Sequence, residues 1–97
     1  MPQPRRDTRS SPVRYPNQWK AVRQLRGLTQ RQVARYLGHL NTKYYSHIER
    51  GLRFPGPRIL FRLLVLFDVR LRSVYPSLSW QAENAIKRRR ERDQPPG

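Results

Sequence analysis

The stretch "LTQRQVARYLGHLNTKYYSHIERG", residues 28–51, constrains the chain more than any other. Val33, Ala34 and Leu37, and then Tyr45 and Ile48, recur at helical spacing. A single helix through all of them would carry Gly38 and an Asn41-Thr42 pair in its middle, where glycine costs about 1 kcal/mol and Asn or Thr favours a cap. The pattern therefore predicts two helices. Thr29 caps the first and Gly38 ends it; Asn41 or Thr42 caps the second and Gly51 stops it. Two short helices joined by a glycine-containing turn make a helix-turn-helix. Gly38 is expected at positive φ, where a Cβ would clash. Ala34 is small enough for the next helix to cross closely. Leu40, Tyr45 and Ile48 are expected to bury the second helix against the first. That leaves an outward face of Thr42, Lys43, Tyr44 and His47.

Helical spacing also governs the flanks. Trp19, Val22 and Leu25 fall three apart and predict one face of a helix ending at Gly27. "FPGP" is a turn, and Pro57 suits the first turn of a helix running through Phe67. "LLVLFDV" has strand-like composition, but Pro57 and the length of the segment favour helix, and no strand is expected. Val69, Leu71, Val74 and Tyr75 predict one short turn closed by Pro76. Ser79 is expected to cap a last helix, "WQAENAIKRRRER". Residues 1–16 hold four prolines and four arginines with almost nothing to bury, and predict a disordered basic arm. The expected organisation is this arm, a folded domain over 17–78, and a basic helix and tail over 79–97. A chain of 97 residues suits one small domain.

The chain has no cysteine and two histidines, which argues against a disulfide framework and against a zinc site, and no metal or cofactor is expected. No segment approaches the length of a membrane span and no apolar signal core opens the chain, so a cytoplasmic protein without a membrane partner is the expectation. No nucleophile, base and acid stand at sensible positions, and no phosphate-binding glycine loop is present, so no enzyme is expected. Charge points elsewhere. Lysine and arginine number 21 against 6 acids, a net charge of +15. Such an excess destabilises a compact chain unless a polyanion relieves it, and nucleic acid is the commonest. Most of the cations are arginines, whose rigid donor fork suits phosphate and guanine. The outward face from Thr42 to His47 fits a major groove.

"LRGLTQRQVARYLG…YYSHIERG…P" resembles the Cro/repressor-type helix-turn-helix of the XRE family, with its lambda-repressor-like fold. The likeness runs from Trp19 to about Tyr75. It rests on Arg23, the Gly27–Gln30 run, Ala34, Leu37-Gly38, Ser46, Ile48–Gly51, Pro55, and Val69, Leu71, Val74 and Tyr75. It implies an all-α, compact domain of four to five helices that binds double-stranded DNA as a transcriptional regulator, with repression as the expected role. It also implies residue roles. Thr42, Lys43 and His47 take the base-reading positions, with Tyr44 beside them. Gln30 holds a phosphate and braces the reading helix, and Arg50 and Arg53 grip the DNA backbone. Arg23 and Glu49 form a structural ion pair. Two departures stand out. Pro57 replaces a core aliphatic, and the turn is one residue longer, with both His39 and Leu40 before Asn41. The longer turn leaves two registers open: Thr42, Lys43 and His47 toward the groove, or a rotated face of Asn41 and Tyr44.

Ile59, Val65 and Leu66 exceed what one core face of the fourth helix requires. Either a homodimer covers them, as in a regulator reading two half-sites, or Trp80, Ala82 and Ile86 of the last helix fold back over them. "KRRRER", from Lys87 to Arg92, is either a solvated helix end or a further phosphate grip, and the N-terminal arm is of the type that enters a minor groove. Two other functions fit the same residues. One is an antitoxin, whose apolar surface engages a toxin; the other is a nonspecific binder of DNA or RNA.

Overall fold

The computed structural model describes residues 13–93, and all regular structure among them is helical. Six helices follow one another: α1 (Trp19–Leu25), α2 (Gln30–Tyr36), α3 (Thr42–Glu49), α4 (Pro57–Phe67), α5 (Leu71–Val74) and α6 (Pro76–Asp93). None is long and apolar enough to cross a membrane.

The helix-turn-helix forms as its punctuation demands. Thr29 and Gln32 make a reciprocal capping box at the start of α2, each side chain accepting the other's backbone N–H. Asn41, not Thr42, caps α3: its Oδ1 accepts from the N–H of Lys43 at 2.8 Å and of Tyr44 at 3.2 Å. The turn between them uses two left-handed residues, Gly38 at φ 102° and His39 at φ 58°. Positive φ at His39 is where the extra residue of the turn is absorbed. Leu40 then donates its N–H to the Ala34 carbonyl at 2.8 Å, and its side chain packs partly buried against the core. The Arg62 guanidinium closes the end of α2 by donating to the Leu37 carbonyl at 2.9 Å.

The core gathers Val33, Ala34 and Leu37 of α2, Tyr45 and Ile48 of α3, Leu63 and Phe67 of α4, and Val74 and Tyr75 around Trp19. Trp19 is wholly buried, and its indole N–H donates to the Tyr75 hydroxyl at 2.8 Å. Leu25 departs from expectation: it is 82% exposed. A three-residue step turns about 300°, so six residues carry Leu25 roughly 120° away from Trp19 around the helix. In α4, Ile59 and Leu66 do find a home, partly buried against the core. The apolar residues left outside are Phe61 and Val65, 67% and 80% exposed. The last helix does not fold back over them. Trp80 and Ile86 are 64% and 53% exposed, and only the first turns of α6 pack on the body, through Leu78. That helix begins at Pro76, three residues before Ser79, because proline is well placed in a first turn and does not close the preceding one.

The ordered chain also starts earlier than expected. The N–H groups of Arg14 and Tyr15 both donate to the Gly51 carbonyl, at 3.0 and 2.9 Å. The Tyr15 ring packs on Phe54 with centroids 5.4 Å apart. Asn17 then joins three segments: it accepts from the Trp19 N–H and donates to the carbonyls of Tyr15 and Ile48. The disordered arm expected over 1–16 therefore does not reach 13–16, and its remainder lies outside the described residues.

Gly51 is where this arrangement is tightest. Its φ is +77°, and a Cβ there would stand 2.6 Å from Val13 Cγ1 and 3.0 Å from the Tyr15 carbonyl oxygen. Gly27 has a similar φ of +69° but open space around it. Gly27→Ala should cost only the backbone strain of about 1–2 kcal/mol. Gly51→Ala should lower the melting temperature further and loosen residues 13–16, read by hydrogen exchange at Arg14 and Tyr15. Equal losses for the two variants would contradict this packing.

Candidate nucleic-acid interface

α3 is held from behind by one polar cluster. Arg23 of α1 reaches Glu49 at the end of α3 through two hydrogen bonds, Nε to Oε2 at 2.5 Å and Nη2 to Oε1 at 3.3 Å. The same guanidinium donates to the Leu28 carbonyl at 2.8 Å. Gln30, the first residue of α2, donates its amide to Glu49 Oε1 at 2.9 Å. Three helices thus meet on one carboxylate. The Glu49 side chain is 2% exposed and that of Arg23 is 12% exposed. The hydrogen bond to Glu49, opposed by burial, raises the Arg23 pKa further above its ordinary value. An anion at a helix C-terminus is disfavoured by the helix dipole, and the arginine offsets that cost. Removing one member strands the other. Glu49→Ala should therefore destabilise the fold by about 3–5 kcal/mol in urea unfolding. Glu83→Ala, which breaks the exposed Arg72–Glu83 pair at 2.7 Å, should cost less than about 1 kcal/mol.

Tyr45 lies beside this cluster. Its hydroxyl is buried and makes no hydrogen bond. Burial first, and then the neighbouring Glu49 charge, push its phenol well above the ordinary value of 10.0. Tyr75 is raised as well, chiefly by burial. A group whose folded pKa is raised contributes stability that is present below its unfolded pKa and lost as pH climbs toward the folded one. Stability should accordingly fall as pH rises past about 10. Tyr45→Phe removes an orphaned hydroxyl, so it should keep or raise the melting temperature at pH 7 and make the alkaline loss shallower.

With Tyr45 and Ile48 turned inward, the opposite side of α3 presents Lys43, Ser46, His47 and Arg50, spaced three and four apart. Thr42 and Lys43 are exposed, and His47 and Ser46 are half-buried. Asn41 has its side-chain oxygen committed to capping, which leaves the Thr42 hydroxyl free of that duty. Tyr44 sits at the edge of this face. It is half-buried against the core, and the Arg53 guanidinium lies over its ring at 5.0 Å. Arg50 caps the end of α3 and is exposed, as is Arg53 in the loop beyond. The structure thus brings Thr42, Lys43, His47, Arg50 and Arg53 along one helix and its following loop, with Gln30 tied in through Glu49.

Ser46 was not among the expected contacts, although its spacing from Lys43 places it on the same face. Asn17 and Arg14 were missed too. A short segment held by backbone hydrogen bonds to a carbonyl leaves no periodic trace in a sequence. Among the described residues, no three His, Cys, Asp or Glu side chains are grouped so as to hold a metal ion.

Comparison with protein families finds one matching model, described as helix-turn-helix, over residues 20–74, more than half the chain. The match spans α1 through α5 almost to the residue and stops before α6. Neither the curated proteins nor the solved structures contain a match to this chain.

Proposed function

The chain belongs to the Cro/repressor-type (XRE) helix-turn-helix family and is a DNA-binding regulator of that kind, and from this premise we propose that it is a sequence-specific transcriptional repressor reading the major groove with α3. One observation carries the proposal: the inner side of α3 is fixed by Glu49, Tyr45 and Ile48, while Lys43 and His47 lie on the opposite side and Thr42 stands exposed at the start of the helix. A helix so anchored offers its side chains to base edges at a constant angle, and specificity depends on that constancy.

In this reading Lys43 donates to guanine O6 or N7, Thr42 meets a base edge or a thymine methyl, and His47 contacts the next base along the groove. Gln30, Arg50 and Arg53 hold phosphates, which set register without reading sequence. Tyr44 acts by holding Arg53 under cation–π attraction instead of touching a base itself. Binding at an operator that overlaps a promoter blocks polymerase.

Anisotropy with duplexes from upstream of the gene and with random duplexes tests this. Lys43→Ala should relax preference at one base position by about 1–3 kcal/mol, close to 5- to 150-fold, with little change on random DNA. Arg53→Ala should weaken every duplex alike and reduce the slope of log K against log salt by about 1. Equal wild-type affinity for upstream DNA, random DNA and RNA at physiological salt would sink sequence-specific regulation in favour of nonspecific binding.

A protein-interaction function has one observation in its favour. Phe61 and Val65 of α4 lie exposed beside Tyr36 of α2, which is 62% exposed. A homodimer or a toxin partner would cover them. Sedimentation separates the two: a dimer dispersed by Val65→Asp supports pairing of two copies, and a monomer at all concentrations removes it.

A further inference from the structure

α6 lies beyond the segment shared with the family, and it changes character along its length. Leu78, Ala82, Ala85, Arg89 and Arg92 recur at spacings of three and four, so they form one stripe along the helix. At its start the stripe packs on the body. Leu78, Ser79 and Ala82 share a shallow apolar groove with Phe54, Leu71 and Tyr75. Past Ala82 the helix has left the body, and the stripe turns cationic. Arg88, Arg89 and Arg92 surround Ala85, whose small side chain leaves a hollow between the three guanidinium stems.

The root of this helix stands next to the backbone-gripping loop. Phe54 follows Arg53 directly, and its ring packs against Tyr75 with centroids 4.9 Å apart and against Tyr15 at 5.4 Å. α6 therefore springs from the cluster that also anchors Arg14 and Arg53. The side of α6 that faces Phe54 is continuous with the side that carries Arg89 and Arg92. At 1.5 Å per residue, Arg89 and Arg92 lie about 16 and 21 Å along the helix from Leu78. The acids are arranged accordingly. Glu83 is paired with Arg72, and Glu91 lies on the far side of the helix with Lys87, four residues apart. Asp93, the last residue of α6, is the acid nearest the stripe, one turn from Arg89.

We propose that Arg88, Arg89 and Arg92 form a second DNA contact, gripping phosphates of the duplex that flanks the site read by α3. The contact extends the footprint beyond the helix-turn-helix and adds affinity without base preference. It rests on the DNA-binding reading above, because the geometry relates α6 to Arg53.

The test measures the salt dependence of binding by the full chain to a duplex of about 30 base pairs, upstream and random. Wild type is compared with Arg88→Gln/Arg89→Gln/Arg92→Gln and with Lys87→Gln/Arg90→Gln, which removes charge from the other sides of the same helix. Circular dichroism checks that α6 stays helical in each. The triple variant should lower the slope of log K against log salt by about 2.7, at roughly 0.9 per phosphate, and weaken both duplexes by the same factor. The double variant should lower it by much less, and Arg88→Lys/Arg89→Lys/Arg92→Lys should retain most of the slope. A triple variant that binds like wild type, or that loses no more per charge than the double variant, overturns the second contact and leaves the role of α3 intact. Failure of the wild type to bind any duplex overturns both. Shortening the duplex to the width of the α3 site should abolish the difference between wild type and the triple variant; a difference that persists also counts against a flanking contact.

Discussion

The Glu49 carboxylate is the point on which the arrangement turns. It receives Arg23 from α1 and Gln30 from the start of α2, while itself standing at the end of α3. Hydrophobic contacts alone would let α3 slide or roll on the surface of α2, since dispersion and burial carry little direction. A carboxylate fixed by three donors does carry direction. It sets how far α3 is rotated, and therefore which of its residues face outward. Its net contribution to stability is modest beside the desolvation it costs, so its value lies in orientation as much as in free energy.

A second layer, of aromatic packing, gathers just beyond the same end of α3. Trp19 meets Tyr75 edge-on with centroids 6.0 Å apart, Tyr75 meets Phe54, and Phe54 meets Tyr15. This chain of rings links α1, the start of α6, the loop after α3 and the N-terminal segment. Gly51 lets the N-terminal segment lie directly on the end of α3. As a result the loop after α3, the segment that begins at Val13 and the basic last helix all meet in one neighbourhood.

Much of the fold was legible because it depends on local physics. The Thr29 cap, the break at Gly38, the stop at Gly51 and the first-turn proline of α4 are decided by backbone conformations that only certain residues adopt cheaply. The buried members Val33, Ala34, Leu37, Tyr45 and Ile48 follow from the helical period once those boundaries are placed. The Arg23–Glu49 pair was visible only through the family resemblance, since nothing local says which arginine among so many should seek which acid. Where the structure departs from the helical pattern, the cause is also physical. Leu25 was misassigned because a spacing of three drifts around a helix, and Ile59 and Leu66 because the size of a core depends on how closely neighbouring helices approach.

The sequence by itself determined how many helices the chain forms and where most of them break, most of the apolar face of α2 and α3, and a charge that suits a polyanion. Capping, φ preference and net charge are properties of residues and their immediate neighbours, so they can be read in order along the chain. Only the tertiary structure decided that the extra turn residue is absorbed by His39 in a left-handed conformation, that Asn41 is the cap, and that Tyr44 lies under Arg53. It alone decided that residues 13–16 are anchored on Gly51 and that α6 leaves the body with its arginines free. Each of these depends on groups distant in sequence meeting at close range, and periodicity carries no record of such meetings.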